Sequence, residues 1–288
     1  MKPAAGGWIN GLIGVLIFSG TMPATRLAVM DFDPLFLTAC RGAIAGVLGA
    51  GLLVLFGGQR PARHEMVPLA IVALCVVAGF PLLTAVALQY VTSAHSMVYI
   101  GLLPIWTAMF GVLRGGERTR PAFWVFSVTG SALVAGFALA GGGGGFSLLG
   151  DGLLMLSIVV CGYGYAEGGR LSRRLGGWQV ICWALLLAFP LMLALALARW
   201  PGSWEGIRLS SYLGLAYVSL FSMLIGFVFW YRGLAQGGIA AVGQLQLLQP
   251  FFGLLLSALV LHESVGLPVF LFNIGVVLCV AMARRFSR

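Results

Sequence analysis

Leu88-Gln89-Tyr90-Val91-Thr92-Ser93-Ala94, followed by Pro104 and Glu117, returns 146 residues later as Leu234-Ala235-Gln236-Gly237-Gly238-Ile239-Ala240, followed by Pro250 and Glu263. The leucine, the closing alanine, the proline and the glutamate are all kept at one constant offset, and both stretches are deeply apolar. A helix pair carrying a proline at mid-membrane depth in each half is the mark of a membrane transporter built by duplication.

Composition sets the solvent. With 60% hydrophobic and 9% charged residues and a mean hydropathy of +1.01, the chain has too little polar surface to cover a soluble fold of its size. A helix crossing roughly 30 Å of hydrocarbon needs about 20 apolar residues. Such windows predict ten spans, over residues 9–25, 34–56, 67–88, 94–113, 122–140, 148–166, 180–198, 212–231, 240–261 and 266–282. The first is expected to be retained as a helix and not cleaved as a signal peptide: it has no clear small-x-small cleavage site, and its loss would break the match between halves.

The net charge of +9 would suggest a polyanion partner in a soluble domain. Here Lys2, Arg60, Arg63, Arg114, Arg118, Arg120, Arg170, Arg173, Arg174, Arg232, Arg284, Arg285 and Arg288 fall in segments on one side of the membrane. Only Arg26, Arg41, Arg199 and Arg208 fall on the other half. By the positive-inside rule both termini are cytoplasmic, with ten helices between them. Basic residues in short loops without interleaved aromatics exclude nucleic acid as a partner. Cys40, Cys75, Cys161, Cys182 and Cys279 form no C-x-x-C pair and lie in or beside apolar spans. They read as small hydrophobes, and no metal or cofactor is expected.

The glycine run Gly141 to Gly145 is the junction. The expected organisation is a first repeat over residues 1–140, a linker over 141–147 and a second repeat over 148–288. Five helices per half is an odd number, so the second copy enters the membrane from the opposite face and the repeats are inverted. The fold class is all-α and polytopic. In the second span Gly42, Gly46 and Ala50 are spaced by four, which suits close helix packing, with a gating hinge as the alternative.

A charge at mid-bilayer costs about 2.5 to 3.5 kcal/mol on insertion scales, so each embedded polar group needs a partner or a wet cavity. Arg26 and Arg41 either snorkel or hold the Met30 to Asp33 loop through Asp31 and Asp33, or one of them attracts a substrate carboxylate. Glu167 is expected to pair with Arg170, and Glu117 and Glu263 to anchor helix ends. His95, Tyr99 and Trp106 share a helical face in the fourth span. Gln246, Gln249 and Gly253 form a stripe in the ninth, with Gln244 on an adjoining strip. Glutamines are expensive against lipid, so these face other helices or a polar pore. Phe18, Tyr163 and Trp183 are weaker candidates for substrate contact. Pro104 and Pro250 remove backbone donors beside the centre. Thr84 matches Trp230 by the repeat offset, a small polar group opposite an indole.

The residues Ala87-Leu88-Gln89-Tyr90-Val91-Thr92-Ser93-Ala94, Leu103-Pro104 and Gly116-Glu117-Arg118, with Trp230-Tyr231-Arg232-Gly233-Leu234-Ala235, Leu248-Gln249-Pro250 and His262-Glu263, resemble the ten-helix EamA-type members of the drug/metabolite transporter superfamily. The likeness covers essentially the whole chain. Arg26, Arg41 and Phe229-Trp230-Tyr231-Arg232 look most like the YddG-type exporters, a resemblance that implies aromatic amino acids or cationic xenobiotics as cargo and a bacterial inner membrane as location. Half-size multidrug members carry an essential glutamate in the first helix, whereas residues 9–25 contain no acid. That departure argues against their proton antiport cycle.

The expected function is outward movement of small amphipathic metabolites, aromatic or neutral amino acids first, by alternating access, through a chamber lined by helices 1, 3, 4, 6, 8 and 9. Export of cationic drugs or of another metabolite such as a sugar phosphate is the alternative. A membrane-embedded enzyme would need clustered acids, histidines or nucleophiles, and His64, His95 and His262 are scattered. The expected partners are a small-molecule substrate and membrane lipid, and a monomer is compatible with the pattern.

Overall fold

Long apolar runs bounded by glycine, proline and short polar caps dictate a bundle of helices. The computed structural model describes residues 5–91, 96, 99–140, 147–253, 256 and 267–287. In chain order it contains α1 (Ala5–Ser19), α2 (Thr21–Val29), α3 (Pro34–Leu55), α4 (Arg63–Val72), a first π-helical stretch (Ala73–Gly79), α5 (Phe80–Ala87), α6 (Leu103–Leu113), α7 (Pro121–Ala140) and α8 (Leu148–Leu175). There follow α9 (Gly177–Ala198), α10 (Leu209–Tyr217), a second π-helical stretch (Val218–Ile225), α11 (Gly226–Gly237), α12 (Ile239–Gly243), a 3-10 segment (Gln244–Leu248) and α13 (Leu267–Phe286). No strand occurs among the described residues.

Six helical runs among the described residues are long and apolar enough to cross a membrane: Gly6–Val29, Pro34–Leu55, Arg63–Ala87, Leu148–Leu175, Gly177–Ala198 and Leu209–Gly237. Leu103–Leu113 and Pro121–Gly136 are shorter apolar helices. The glycine junction 141–146 and the predicted 262–265 loop lie outside the described residues.

The secondary structure repeats at the spacing of the sequence. α10 begins 146 residues after α4, α11 begins 146 residues after α5, and both ends of α13 lie 146 residues beyond those of α7. Each long third run of a half is interrupted by a π-helical stretch, Ala73–Gly79 in one and Val218–Ile225 in the other. Pro104 and Pro250 each take the second position of an α-helical segment that follows a break, the turn at Gly101 and Leu102 in the first case and the 3-10 segment in the second. At Pro104 the preceding turn makes this a restart of the helix, whereas at Pro250 the helical chain runs on from the 3-10 segment without a gap.

Local chemistry fixes the ends. Asp33 accepts hydrogen bonds from Leu35 N and Phe36 N at 3.0 Å each, capping α3 with Pro34 in its first turn. Ser147 and Asp151 cap α8 reciprocally, Gly150 N donating to Ser147 Oγ at 3.2 Å and Ser147 N to Asp151 Oδ2 at 3.1 Å. α8 runs nine residues past the predicted end of the sixth span at residue 166. Its 28 residues extend ~42 Å at 1.5 Å per residue, more than the hydrocarbon is thick. Its last turns therefore carry Glu167, Arg170, Arg173 and Arg174 out of the apolar layer.

Packing depends on small residues. α3 lies along α9 with Gly42 against Met192, Gly46 against Phe189 and Gly49 over the Cys182 backbone. The glycine stripe is thus a packing seam. α1 and α11 touch backbone to backbone: a Cβ on Gly233 would sit 2.6 Å from Gly11 N, and one on Gly7 2.6 Å from Gly237 N. α7 pairs with α13, α2 with α10, and α8 packs on α5, α6 and α11. The outward faces are apolar: on α3, Ile44, Val47, Leu48, Val54 and Leu55 are exposed while Arg41 and the glycines turn inward. Apolar side chains on the outward faces, with the few embedded polar groups such as Arg41 turned inward, suit a lipid-embedded bundle.

Candidate functional site

The proline segments and π-helical stretches meet around one cavity at the centre of the bundle. It is lined by Phe18, Thr21, Arg41, Val76, Phe80, Pro81, Ile100, Leu103, Tyr165, Ser222, Met223, Phe227 and Gln249. It offers about 30 Å³ to the centres of water molecules, room for about two waters. A larger solute enters only if the helices part.

Among the described residues Arg41 is the one cation in the cavity wall. It lies about two turns into α3 and is 7% exposed. Its Nη2 donates to Ser222 Oγ at 3.3 Å, and Thr21 Oγ1 donates to the same oxygen at 2.9 Å. Its buried Nε has no partner. Among the described residues no carboxylate lies within ion-pair distance of it. The π-helical stretch turns Ser222 towards it from the opposite half. Arg41 therefore does not hold the Met30 to Asp33 loop: Asp31 is taken by Arg208 and Ser211, and Asp33 by the start of α3. Arg26 is exposed near the end of α2.

Aromatic rings make much of the rest of the wall. The Phe18 ring lies 4.9 Å from Phe227 and 6.1 Å from Trp230. Tyr165 lies 5.8 Å from Phe227 and 5.4 Å from Trp230. Trp230 is fully buried behind these rings, its Nε1 without a partner. Gln249 faces the cavity and donates to Phe18 O at 3.5 Å. Gln244 and Gln246 are fully buried, and neither amide group of either makes a hydrogen bond.

The remaining predicted residues lie elsewhere. Thr84 is buried on α5 with an unpartnered hydroxyl, off the cavity wall. Tyr99 packs beside Ala87, Val91 and Leu154 with its hydroxyl towards the Asp151 carboxylate. Trp106 stacks on Phe110, with centroids 6.2 Å apart, and its backbone packs on Gly162. Tyr163 meets Phe110 edge-on and lies under the Arg114 guanidinium. Trp183 donates to Gln59 O. His95 and Glu263 lie outside the described residues. Tyr165, Ser222, Phe227, Thr21 and Phe80 join the wall without having been singled out, and α3 adds a second-span contribution through Arg41.

Both ends of the bundle are tied across. At one end the buried Glu167 accepts from Arg114 Nε at 2.6 Å and from Arg170 Nη2 at 2.8 Å. Arg174 pairs with Glu65. Glu117 accepts from Arg173 at 2.7 Å and from the N–H groups of Ile239 at 2.7 Å and Ala240 at 2.8 Å, capping α12 where Gly238 turns at φ 97°. At the other end Asp31 accepts from Arg208 Nη2 at 2.7 Å and Ser211 Oγ at 2.7 Å. The Arg208 guanidinium, with Ser211, holds the Asp31 carboxyl well below the usual carboxylate range. Phe32, Phe36, Trp200, Trp204 and Tyr212 pack edge to face around that clasp.

The sequence profile of the EamA-like transporter family matches residues 5–139 and again 148–285. The chain belongs to the EamA-like transporter family. It is 68% identical over 288 residues, all of both chains, to "Uncharacterized transporter YdeK" of Bacillus subtilis (strain 168). It is 21% identical over 269 residues, 93% of this chain and 92% of the relative, to an "Uncharacterized transporter" of Archaeoglobus fulgidus. A "Probable terminal-alkyne amino-acid exporter" of Streptantibioticus cattleyicolor is 22% identical over 230 residues, 80% of this chain and 77% of the relative. A solved structure described as "Crystal structure of protein" superposes with a TM-score of 0.80 at 21% identity, covering 96% of this chain and 97% of that one, and shares the fold. The chain is thus a multi-pass membrane transporter for a small molecule.

Proposed function

We propose that this transporter exports small amphipathic metabolites, aromatic or other neutral amino acids, by alternating access across a bacterial inner membrane. The observation that carries the reading is Arg41: a buried guanidinium with no carboxylate partner among the described residues, sharing a cavity wall with aromatic rings. An uncompensated charge in that setting is costly, and a substrate carboxylate relieves the cost. Phe18, Tyr165 and Phe227 suit an apolar or aromatic side chain. A cationic drug would meet repulsion from Arg41. The relative whose name includes amino-acid export supports the same cargo class.

Ten helices in two inverted five-helix repeats, 1–140 and 148–288, are the architecture that fits this mechanism. The recurrence of helix bounds, π-helical stretches and prolines at one offset supports it. The excess of arginine in the segments read as inner supports cytoplasmic termini. The ionic network at the end of α8 and the Asp31 clasp are the closures that alternate. No covalent step is involved. Counterflow into proteoliposomes with labelled amino acids and quaternary cations tests the reading: amino acids exchange and the cations do not. Exchange of the cations alone overturns it.

A further inference from the structure

The polar demand of the chamber does not end at Arg41. Gln246 is fully buried in the 3-10 segment, and its amide oxygen and nitrogen both lack a hydrogen-bond partner. An amide left so in a bundle interior is costly, because it has given up water without gaining a partner. Residues three apart in a 3-10 helix eclipse one another, so Gln246 stands one turn from Gln249 on the same face, and Gln249 reaches the cavity. Gln244 falls off that face.

Tyr165 links the two positions. Its ring forms cavity wall in common with Arg41, and the Gln246 amide lies beside its hydroxyl without closing a hydrogen bond to it. Trp230, with an unpartnered Nε1, lies 5.4 Å from the same ring. The Arg41 donor fork and the aromatic faces share the cavity wall, and the Gln246 amide adjoins that wall at Tyr165. An α-amino acid carries its carboxylate, its ammonium and its side chain on one carbon, so one ligand can offer a group to each. Aromatic faces also attract a cation.

We infer that Gln246 receives the ammonium group of the substrate through its Oε1, making it the residue that sets this chamber's preference for α-amino acids over the deaminated 2-oxo acids of the same side chain. The inference rests on the amino-acid reading above. The carboxylate goes to Arg41 in either ligand, so only the amino acid needs an acceptor at Gln246.

The experiment measures inhibition of labelled phenylalanine counterflow by unlabelled phenylalanine and by phenylpyruvate in proteoliposomes of the full chain. Wild type, Gln246→Leu and Gln246→Glu are compared, with monodispersity in detergent as the folding check. Gln246→Leu is expected to weaken phenylalanine at least tenfold and to leave phenylpyruvate within about twofold. Gln246→Glu is expected to hold phenylalanine and weaken phenylpyruvate. Should Gln246→Leu fail to fold, the Gln246→Glu ratio decides. An unchanged phenylalanine constant, or equal losses for both ligands, overturns the inference while leaving the amino-acid reading intact. Absence of counterflow for every amino acid in wild type removes that reading and the inference with it.

Discussion

Arg41 on α3 and Ser222 in the second π-helical stretch, 181 residues apart in sequence, share a hydrogen bond of 3.3 Å across the central cavity. The bond joins the two halves of the chain at a buried cation of the cavity wall that, among the described residues, has no carboxylate within ion-pair distance. A group that costs stability and persists is explained by function.

Arg41→Met should therefore separate function from stability. Apparent affinity for amino acids should fall at least tenfold, while the thermal midpoint of the purified protein stays level or rises, because a buried charge is replaced by an apolar chain of similar length. Arg41→Lys should keep only part of the activity, since a compact ammonium lacks the planar fork that grips a carboxylate. A drop in midpoint with transport unaffected would mean that Arg41 is structural.

The seam between α1 and α11 should tolerate nothing beyond glycine at Gly233, where a Cβ would sit 2.6 Å from Gly11 backbone. Gly233→Leu should cost more than about 3 kcal/mol and prevent recovery of monodisperse protein. Gly51→Ala, with open space around its Cα, should be neutral or stabilising by about 0.5–1 kcal/mol. Fluorescence-detected size exclusion with a thermal ramp reads both.

The Asp31 to Arg208 clasp has a defined pH signature. Its carboxyl titrates below the usual carboxylate range in the folded protein, so the clasp contributes fully above the unfolded value of about 3.9 and is lost only as pH falls through the lower, folded value. The pair's contribution to the thermal midpoint should be fully present and independent of pH between pH 5 and 8. Below pH 4 wild type should lose stability faster than Asp31→Asn. Exchanging the charges, with Asp31→Arg and Arg208→Asp together, should recover most of what either single change loses.

Glu117 holds the first turn of α12 through two backbone N–H groups. Glu117→Ala should cost about 1–2 kcal/mol, and Glu117→Gln less, because an amide oxygen still accepts. Thermal midpoints at low and high salt separate this cap from the Arg173 ion pair, which salt screens.

Much of this was legible in residues and some was not, for definite reasons. The 146-residue offset predicts the repeat because prolines and glycines punctuate both halves alike, and the helix bounds follow it. Hydropathy sets the end of the sixth span at residue 166 because it marks where apolar residues end, whereas α8 continues because Glu167, Arg170, Arg173 and Arg174 find ion-pair partners. The stripe of His95, Tyr99 and Trp106 assumed one uninterrupted helix. The turn at Gly101 and Leu102 breaks that period, sending Tyr99 to Asp151 and Trp106 to Phe110. Phe18, Arg41 and Gln249 stood out as polar or aromatic residues in apolar runs, and they line the cavity. Ser222 gave no such signal: a serine in a helix is unremarkable in sequence, and a π-helical stretch shifts its facing away from the 3.6-residue period.

The most direct test is the position of a bound amino acid in an experimentally determined complex of the full chain in lipid. The account predicts its carboxylate within hydrogen-bond distance of the Arg41 guanidinium and its side chain against Phe18 and Phe227. A ligand lodged elsewhere in the bundle, with Arg41 still bonded only to Ser222, would contradict it.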